Sequence, residues 1–267
     1  MNIFASLRSE ITKLTSTRLW WVLAIIMVGY VALCAGGLAA ILAGVGTRAG
    51  GPVLPDAQLP PLIYSFATSV GYVFPVLLGA LAVTSEFRFQ SLTPTFLATP
   101  RRGTVLAGKM IALVLAGAVF GVLALLASMG AGAAVLGAFG IDPLLGSPDT
   151  WAFVGRSVLA MALWAGIGVG LGALVPSQIA AIVIVLAFTQ FLEPLLRFGA
   201  SITDWSAEIG KFLPGAASDA LVGSSIFTLM SAGGSQLEWW QGALVLAAIA
   251  AVATAIGYFT SWRRDVS

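Results

Sequence analysis

The sequence predicts an all-α, polytopic membrane protein with six transmembrane helices, and three observations carry that expectation. Of 267 residues, 59% are hydrophobic and only 9% are charged, whereas about a quarter of a soluble domain is charged. Mean hydropathy is +1.00. Six apolar runs, near 19–44, 62–84, 105–139, 152–175, 179–198 and 240–262, meet or approach the length a spanning helix needs. That length is about 20 residues, because each advances about 1.5 Å across a hydrocarbon core about 30 Å thick. Residues 1–267 therefore form one transmembrane domain.

Taken in order, residues 1–18 place Ile3, Phe4, Leu7, Ile11 and Leu14 on one helical face, with Ser9 and Lys13 opposite. This pattern predicts an amphipathic helix lying in the membrane interface, with Trp20 and Trp21 at headgroup level. A signal peptide is not expected, since the apolar run that follows is longer than a typical h-region. The Gly- and Pro-rich stretch TRAGGPVLPDAQLPP is a loop. Within the second run, Pro75 is expected to remove a backbone hydrogen bond and kink the helix. The third run is too long for one straight span, so it is expected to tilt or continue as a surface segment. A short loop at 140–150 carries Asp142 and Asp149.

The fourth run contains GIGVGLG, with Gly166, Gly168, Gly170 and Gly172. A nucleotide-binding reading needs a preceding strand and a Gly-x-Gly-x-x-Gly spacing. Neither is present, and the string predicts small-xxx-small packing against another helix. VPSQ at 175–178 reverses the chain with almost no loop. The fifth run ends at Glu193, Pro194 and Arg197, near the outer end of its span; Glu193 and Arg197 are i, i+4 neighbours and are expected to pair. Residues 199–238 mix short apolar pieces with turn residues and predict one or two short external helices before the last span, which ends in WRRDV.

With the N-terminus inside, nine Lys and Arg residues face three acids on the cytoplasmic side and four face eight acids outside, consistent with the net charge of +2. The bias in Lys and Arg predicts that both termini and the loop around Glu86 are cytoplasmic. The single cysteine, Cys34, cannot form an intramolecular disulfide, and there is no histidine. That excludes Ser-His hydrolases, His-Glu-x-x-His metalloproteases and His-ligated haem.

The segment 84–109, TSEFRFQSLTPTFLATPRRGTVLAGK, is the only internal stretch that concentrates charge, with Glu86, Arg88, Arg101, Arg102 and Lys109. Its tail, GTVLAGK, matches Gly-x-x-x-x-Gly-Lys but continues with Met110. A phosphate-binding loop continues with a Ser or Thr that holds magnesium and follows a buried strand. The chain is therefore expected to bind no nucleotide, and any ATPase is another polypeptide. Phe87, Phe89, Phe96 and Leu97 amid basic residues suit a protein interface, and Glu86 is expected to pair with Arg88, Arg101 or Arg102.

The run Ser85-Glu86-Phe87-Arg88, then Thr95-Phe96-Leu97-Ala98-Thr99-Pro100-Arg101-Arg102 and Lys109, resembles ABC-2 type transporter permeases, the small six-span bacterial kind above all. The amphipathic start with Glu10 and Lys13, the segment around Leu213-Pro214 and the Arg263-Arg264-Asp265 ending are similar to the same family. Its members often carry Gly-Thr where this chain has Gln90-Ser91, which puts the local turn geometry in question. The resemblance implies a permease in the bacterial cell membrane that pairs with a second permease chain, as homodimer or heterodimer, and binds two copies of an ABC ATPase subunit.

It further implies a coupling helix within loop 85–103, with Glu86, Phe87, Arg88, Ser91, Leu92, Thr95, Phe96, Leu97, Pro100, Arg101 and Arg102 at or beside the ATPase contact. ATP and magnesium then belong to the partner; the chain has no cofactor or metal of its own, is not an enzyme and binds no nucleic acid. No span has an ionisable residue at mid-depth, so no proton or sodium relay is evident, and an external energy source is favoured. An apolar path suits hydrophobic or amphipathic cargo such as a drug, peptide or lipid. The alternative is a membrane assembly or regulatory subunit that transports nothing. An adjacent gene for an ABC ATPase separates the two.

Overall fold

A computed structural model describes residues 3–48, 54–98, 101–200, 202–225 and 237–262. Among these the protein is helical, with no strand, and has six helices long and apolar enough to cross a membrane. The candidate spans are Leu19–Gly44, Asp56–Arg88, Arg102–Ala138, Pro148–Leu174, Gln178–Ala200 and Trp239–Trp262. Each encloses or closely overlaps a run read from sequence. Arg263, Arg264 and Asp265 lie outside the described residues.

Helix α1 (Ile3–Ser16) is joined by a two-residue link to α2 (Leu19–Arg48), the first span. The second span is broken into α3 (Leu59–Tyr64), α4 (Phe66–Ser69) and α5 (Val73–Arg88). The interruption expected at Pro75 falls one turn ahead of it. Pro75 is the third residue of α5, in the first turn, where a missing N–H has no intrahelical partner to lose. The break falls just ahead of it, around Val70 to Tyr72.

After the short helix α6 (Leu92–Ala98), α7 (Arg102–Ala138) runs unbroken for 37 residues, about 55 Å at the helical rise. It thus exceeds the hydrocarbon thickness as one continuous helix. Helix α8 (Pro148–Leu174) starts on a Ser147 cap, its hydroxyl accepting from the Asp149 N–H. The fifth span is α9 (Gln178–Ala187), a π-helical turn at Phe188–Leu192, then α10 (Glu193–Ala200). The wide turn immediately precedes Pro194, which has no N–H to return to the Gln190 carbonyl. Two short helices follow, α11 (Asp204–Gly210) and α12 (Pro214–Val222), then α13 (Trp239–Gly257), which ends in a second π-helical turn, Tyr258–Trp262. Residues 226–236, within the segment expected to be external, lie outside the described residues.

Helix α8 is the hub, packed on α5, α7 and α13, and its glycines explain why. A methyl on Gly168 would fall on the Val76 carbonyl, and one on Gly172 would lie 2.7 Å from the Ala80 oxygen, so this edge is closed by α5. Gly79 of α5 answers from the other side, its missing side chain leaving room for the Ala165 carbonyl and the Val169 nitrogen. Gly170 faces α13, where a methyl would lie 2.8 Å from Ala253 Cβ, while Gly166 makes only ordinary contacts with Met110, Val114 and Ala250. With no hydrophobic drive between helices in lipid, such close approach supplies the packing.

Candidate functional site

The loop between the second and third spans lies at one end of the bundle, together with α1, the start of α7 and the last turn of α13. Helix α5 ends in a Schellman arrangement: the Ser91 N–H donates to the Glu86 carbonyl (3.1 Å) and the Gln90 N–H to the Phe87 carbonyl (3.3 Å). This places Gln90 at φ +53°, the left-handed region. Gln90 therefore stands where glycine is favoured, the position at which the sequence departs from the resemblance.

From that turn α6 projects between the spans, and its residues divide by exposure. Leu92 is fully buried. Phe87 and Phe96 are half-buried and both meet the edge of Trp262, each with ring centroids 5.8 Å away. Trp262, 1% exposed, donates its indole N–H to the Arg102 carbonyl (3.2 Å), and the Arg102 guanidinium stacks on Phe96. The Thr95 hydroxyl donates to the Ser91 carbonyl. Phe89 and Leu97 are the exposed apolar side chains, 71% and 81%, and Arg88 and Arg101 are exposed with them. Arg88 reaches Gln178 at the start of α9 (2.9 Å). Pro100 lies outside the described residues. Of the apolar set read from sequence as suiting an interface, Phe89 and Leu97 are at the surface, whereas Phe87 and Phe96 anchor the loop to Trp262.

Glu86 does not pair with the loop arginines. It is buried and belongs to a cluster with Glu10, Lys13 and Lys109. The Lys13 ammonium donates to Glu10 Oε1 (2.7 Å) and Glu86 Oε1 (2.8 Å). The Lys109 ammonium, 3% exposed, contacts Glu10 Oε2 and lies 3.2 Å from Glu86 Oε1. Two carboxylates and two ammoniums balance, which is what permits their burial. Burial opposes the charge of Glu10, but the ammoniums of Lys109 and Lys13 outweigh it and hold the Glu10 carboxyl below its ordinary range. Burial likewise opposes the charge of Lys13, and the carboxylates of Glu86 and Glu10 outweigh it and raise the Lys13 ammonium. Glu86 Oε2 has no hydrogen-bond partner among the described residues.

This cluster fixes how α1 is seated. Ser6 and Glu10 are its buried residues; the Ser6 hydroxyl lies against Gly108, where a side chain would collide with it, and donates to the Thr104 carbonyl. The helix is held to α7 by its polar side, which leaves Ile3, Phe4 and Ile11 exposed. Sequence reasoning missed the cluster. The available signal was Lys109 itself, a cation inside an apolar run that demands a carboxylate, but nothing in the sequence pairs position 109 with position 10.

At the opposite end, the expected Glu193 and Arg197 pair is loose, Nε to Oε1 3.9 Å. Arg197 instead makes a close bond to Asp219 of α12, Nη2 to Oδ2 2.6 Å. Glu193, 2% exposed, accepts from the Gly215 N–H. Its carboxylate occupies the space where a side chain on Gly215 would stand, so it tethers the N-terminus of α12 to the fifth span. Nearby, the Trp164 indole donates to Ser218 (3.0 Å). Burial pushes the Asp219 carboxyl above its ordinary range against the opposing pull of Arg197.

Fold and loop together define a helical, membrane-embedded protein with an anchored helix displayed at one end of its bundle. Compared with known proteins, the chain matches no protein-family model and no curated protein.

Proposed function

We propose that this chain is the membrane-spanning permease subunit of an ATP-driven ABC exporter, with loop 85–103 and both termini cytoplasmic in a bacterial cell membrane. One observation carries the reading. A short helix between two spans is braced from beneath by Leu92, Phe87 and Phe96 on Trp262, and presents Phe89 and Leu97 outward with Arg88 and Arg101 beside them. A rigid apolar pair rimmed by cations suits a partner's groove. The resemblance carried by residues 85–88 and 95–102 implies that the partner is a separate ABC ATPase, two copies to a pair of permease chains, with ATP and magnesium held there.

In this reading, force on α6 passes to Trp262 and so to α13, and through Glu86 to α1 and α7. Both routes converge on α8, packed on α5, α7 and α13, and so reach the helices that would line a path for hydrophobic or amphipathic cargo. The test is co-purification with the ABC ATPase encoded beside its gene, together with ATP turnover in liposomes. Phe89→Asp and Leu97→Asp leave the braced face intact and are expected to lower both ATPase recovery and turnover by at least tenfold. Wild-type recovery and turnover in both variants would overturn the assignment.

A further inference from the structure

We propose that the outer face of α1 is a binding site for anionic phospholipid, a surface that needs no ATPase partner and stands apart from the transport reading. Seating α1 by its polar side removes the acids from the surface. Glu10 and Glu86 are buried and neutralised by Lys13 and Lys109. Among the described residues, the exposed charged side chains at this end are then all cationic: Arg8, Arg18, Arg88 and Arg101. Lys13 joins them in part, with its side chain 40% exposed. Two of its three ammonium hydrogens are committed to Glu10 and Glu86, and the third is free to point outward.

The same seating sets those cations against apolar side chains. Phe4, 79% exposed, and Ile11, 41% exposed, stand at i−4 and i+3 from Arg8, so the guanidinium emerges between them on one edge of the helix. Among the described residues Arg8 makes no ion pair. A side chain pair that seeks acyl chains with a cation between them is the arrangement of an interfacial helix whose arginine reaches the phosphate level.

The occupant is fixed by position and charge. Helix α1 runs into the first span across two residues, so it cannot leave the membrane surface. What meets Phe4 and Ile11 there is lipid, and what complements a set of arginines with no exposed acid beside them among the described residues is a lipid with net negative charge. A zwitterionic headgroup brings its own cation and gains little.

Thermal unfolding of the detergent-purified chain, titrated with phosphatidylglycerol, phosphatidylcholine or inorganic phosphate, tests this. Phosphatidylglycerol is expected to raise the unfolding temperature saturably at concentrations where phosphatidylcholine and phosphate do not. Arg8→Gln should raise the half-saturating concentration about 5-fold and Arg8→Gln with Arg18→Gln about 25-fold, following the cost of roughly 1 kcal/mol for each cation removed from an anionic surface. Both arginines are exposed, so these variants are expected to unfold at the wild-type temperature without lipid. Arg156→Gln, at the other end, should leave the midpoint unchanged. Equal shifts with phosphatidylcholine or phosphate, an unchanged midpoint in the double variant, or an equal loss in Arg156→Gln would each overturn the proposal.

Discussion

Lys109 and Gln90 behave oppositely at the residue scale. Lys109 is a buried cation whose cost is met only by its partners. Removing one member of such a cluster costs about 3–5 kcal/mol, while removing opposite charges together costs far less. Lys109→Met should therefore destabilise strongly in chemical unfolding, and adding Glu10→Gln should restore part of the loss; an additive double variant would deny the coupling. The cluster also sets a pH window. The Glu10 carboxyl is lowered in the folded protein, so its contribution is present above the ordinary value of about 4.3 and fades as pH falls through the lowered one. The Lys13 ammonium is raised, so its contribution is full below about 10.4 and fades as pH climbs through the raised value. Between these limits the contribution of the cluster should be constant, and Glu10→Gln should soften the acid limb. Gln90, by contrast, sits at φ +53° with its side chain exposed. Gln90→Gly relieves the left-handed strain and should stabilise by about 0.5–1 kcal/mol, after allowing for the added freedom of the unfolded chain.

The decisive feature of the elements is how closely α8 approaches its neighbours. Gly168→Ala forces a methyl onto the Val76 carbonyl of α5, and backbone cannot swing aside as a side chain does. The loss should be about 3 kcal/mol, at the upper end of overpacking costs. Gly130→Ala in α7 meets nothing within 4 Å and should be neutral or gain up to about 1 kcal/mol from helix propensity. Unfolding of the two variants side by side separates packing from composition. That a glycine string marks a contact was legible in the sequence, because a membrane helix has little other use for spaced glycines. Which neighbour each glycine meets was not, since only the assembled bundle turns Gly168 towards α5 and Gly170 towards α13. Pro75 marked one interruption of the second span, but periodicity gives an apolar run and not all its breaks, so the division at Ser65 was not legible. Glu193 and Arg197 were read as a local pair because the partner Asp219 is 22 residues further on.

The six spans of the whole molecule were readable because length and hydropathy are local properties, and lipid admits few solutions for them. Their orientation is a further physical consequence of charge. The loop end gathers Arg8, Arg18, Arg88, Arg101 and Arg102, while the other end holds Asp142, Asp149, Glu193, Asp204, Glu208 and Asp219. Translocating the arginine-rich end is the costlier choice, so it should remain cytoplasmic. The single cysteine makes this directly measurable. In a Cys34→Ala background, Gln90→Cys lies at the exposed end of α5 and Leu145→Cys in the exposed loop before α8. A membrane-impermeant maleimide added to intact spheroplasts should label position 145 and leave position 90 untouched until the membrane is opened. Labelling of position 90 from outside would invert the molecule, put α6 out of reach of any cytoplasmic ATPase, and remove the basis for coupling at that loop.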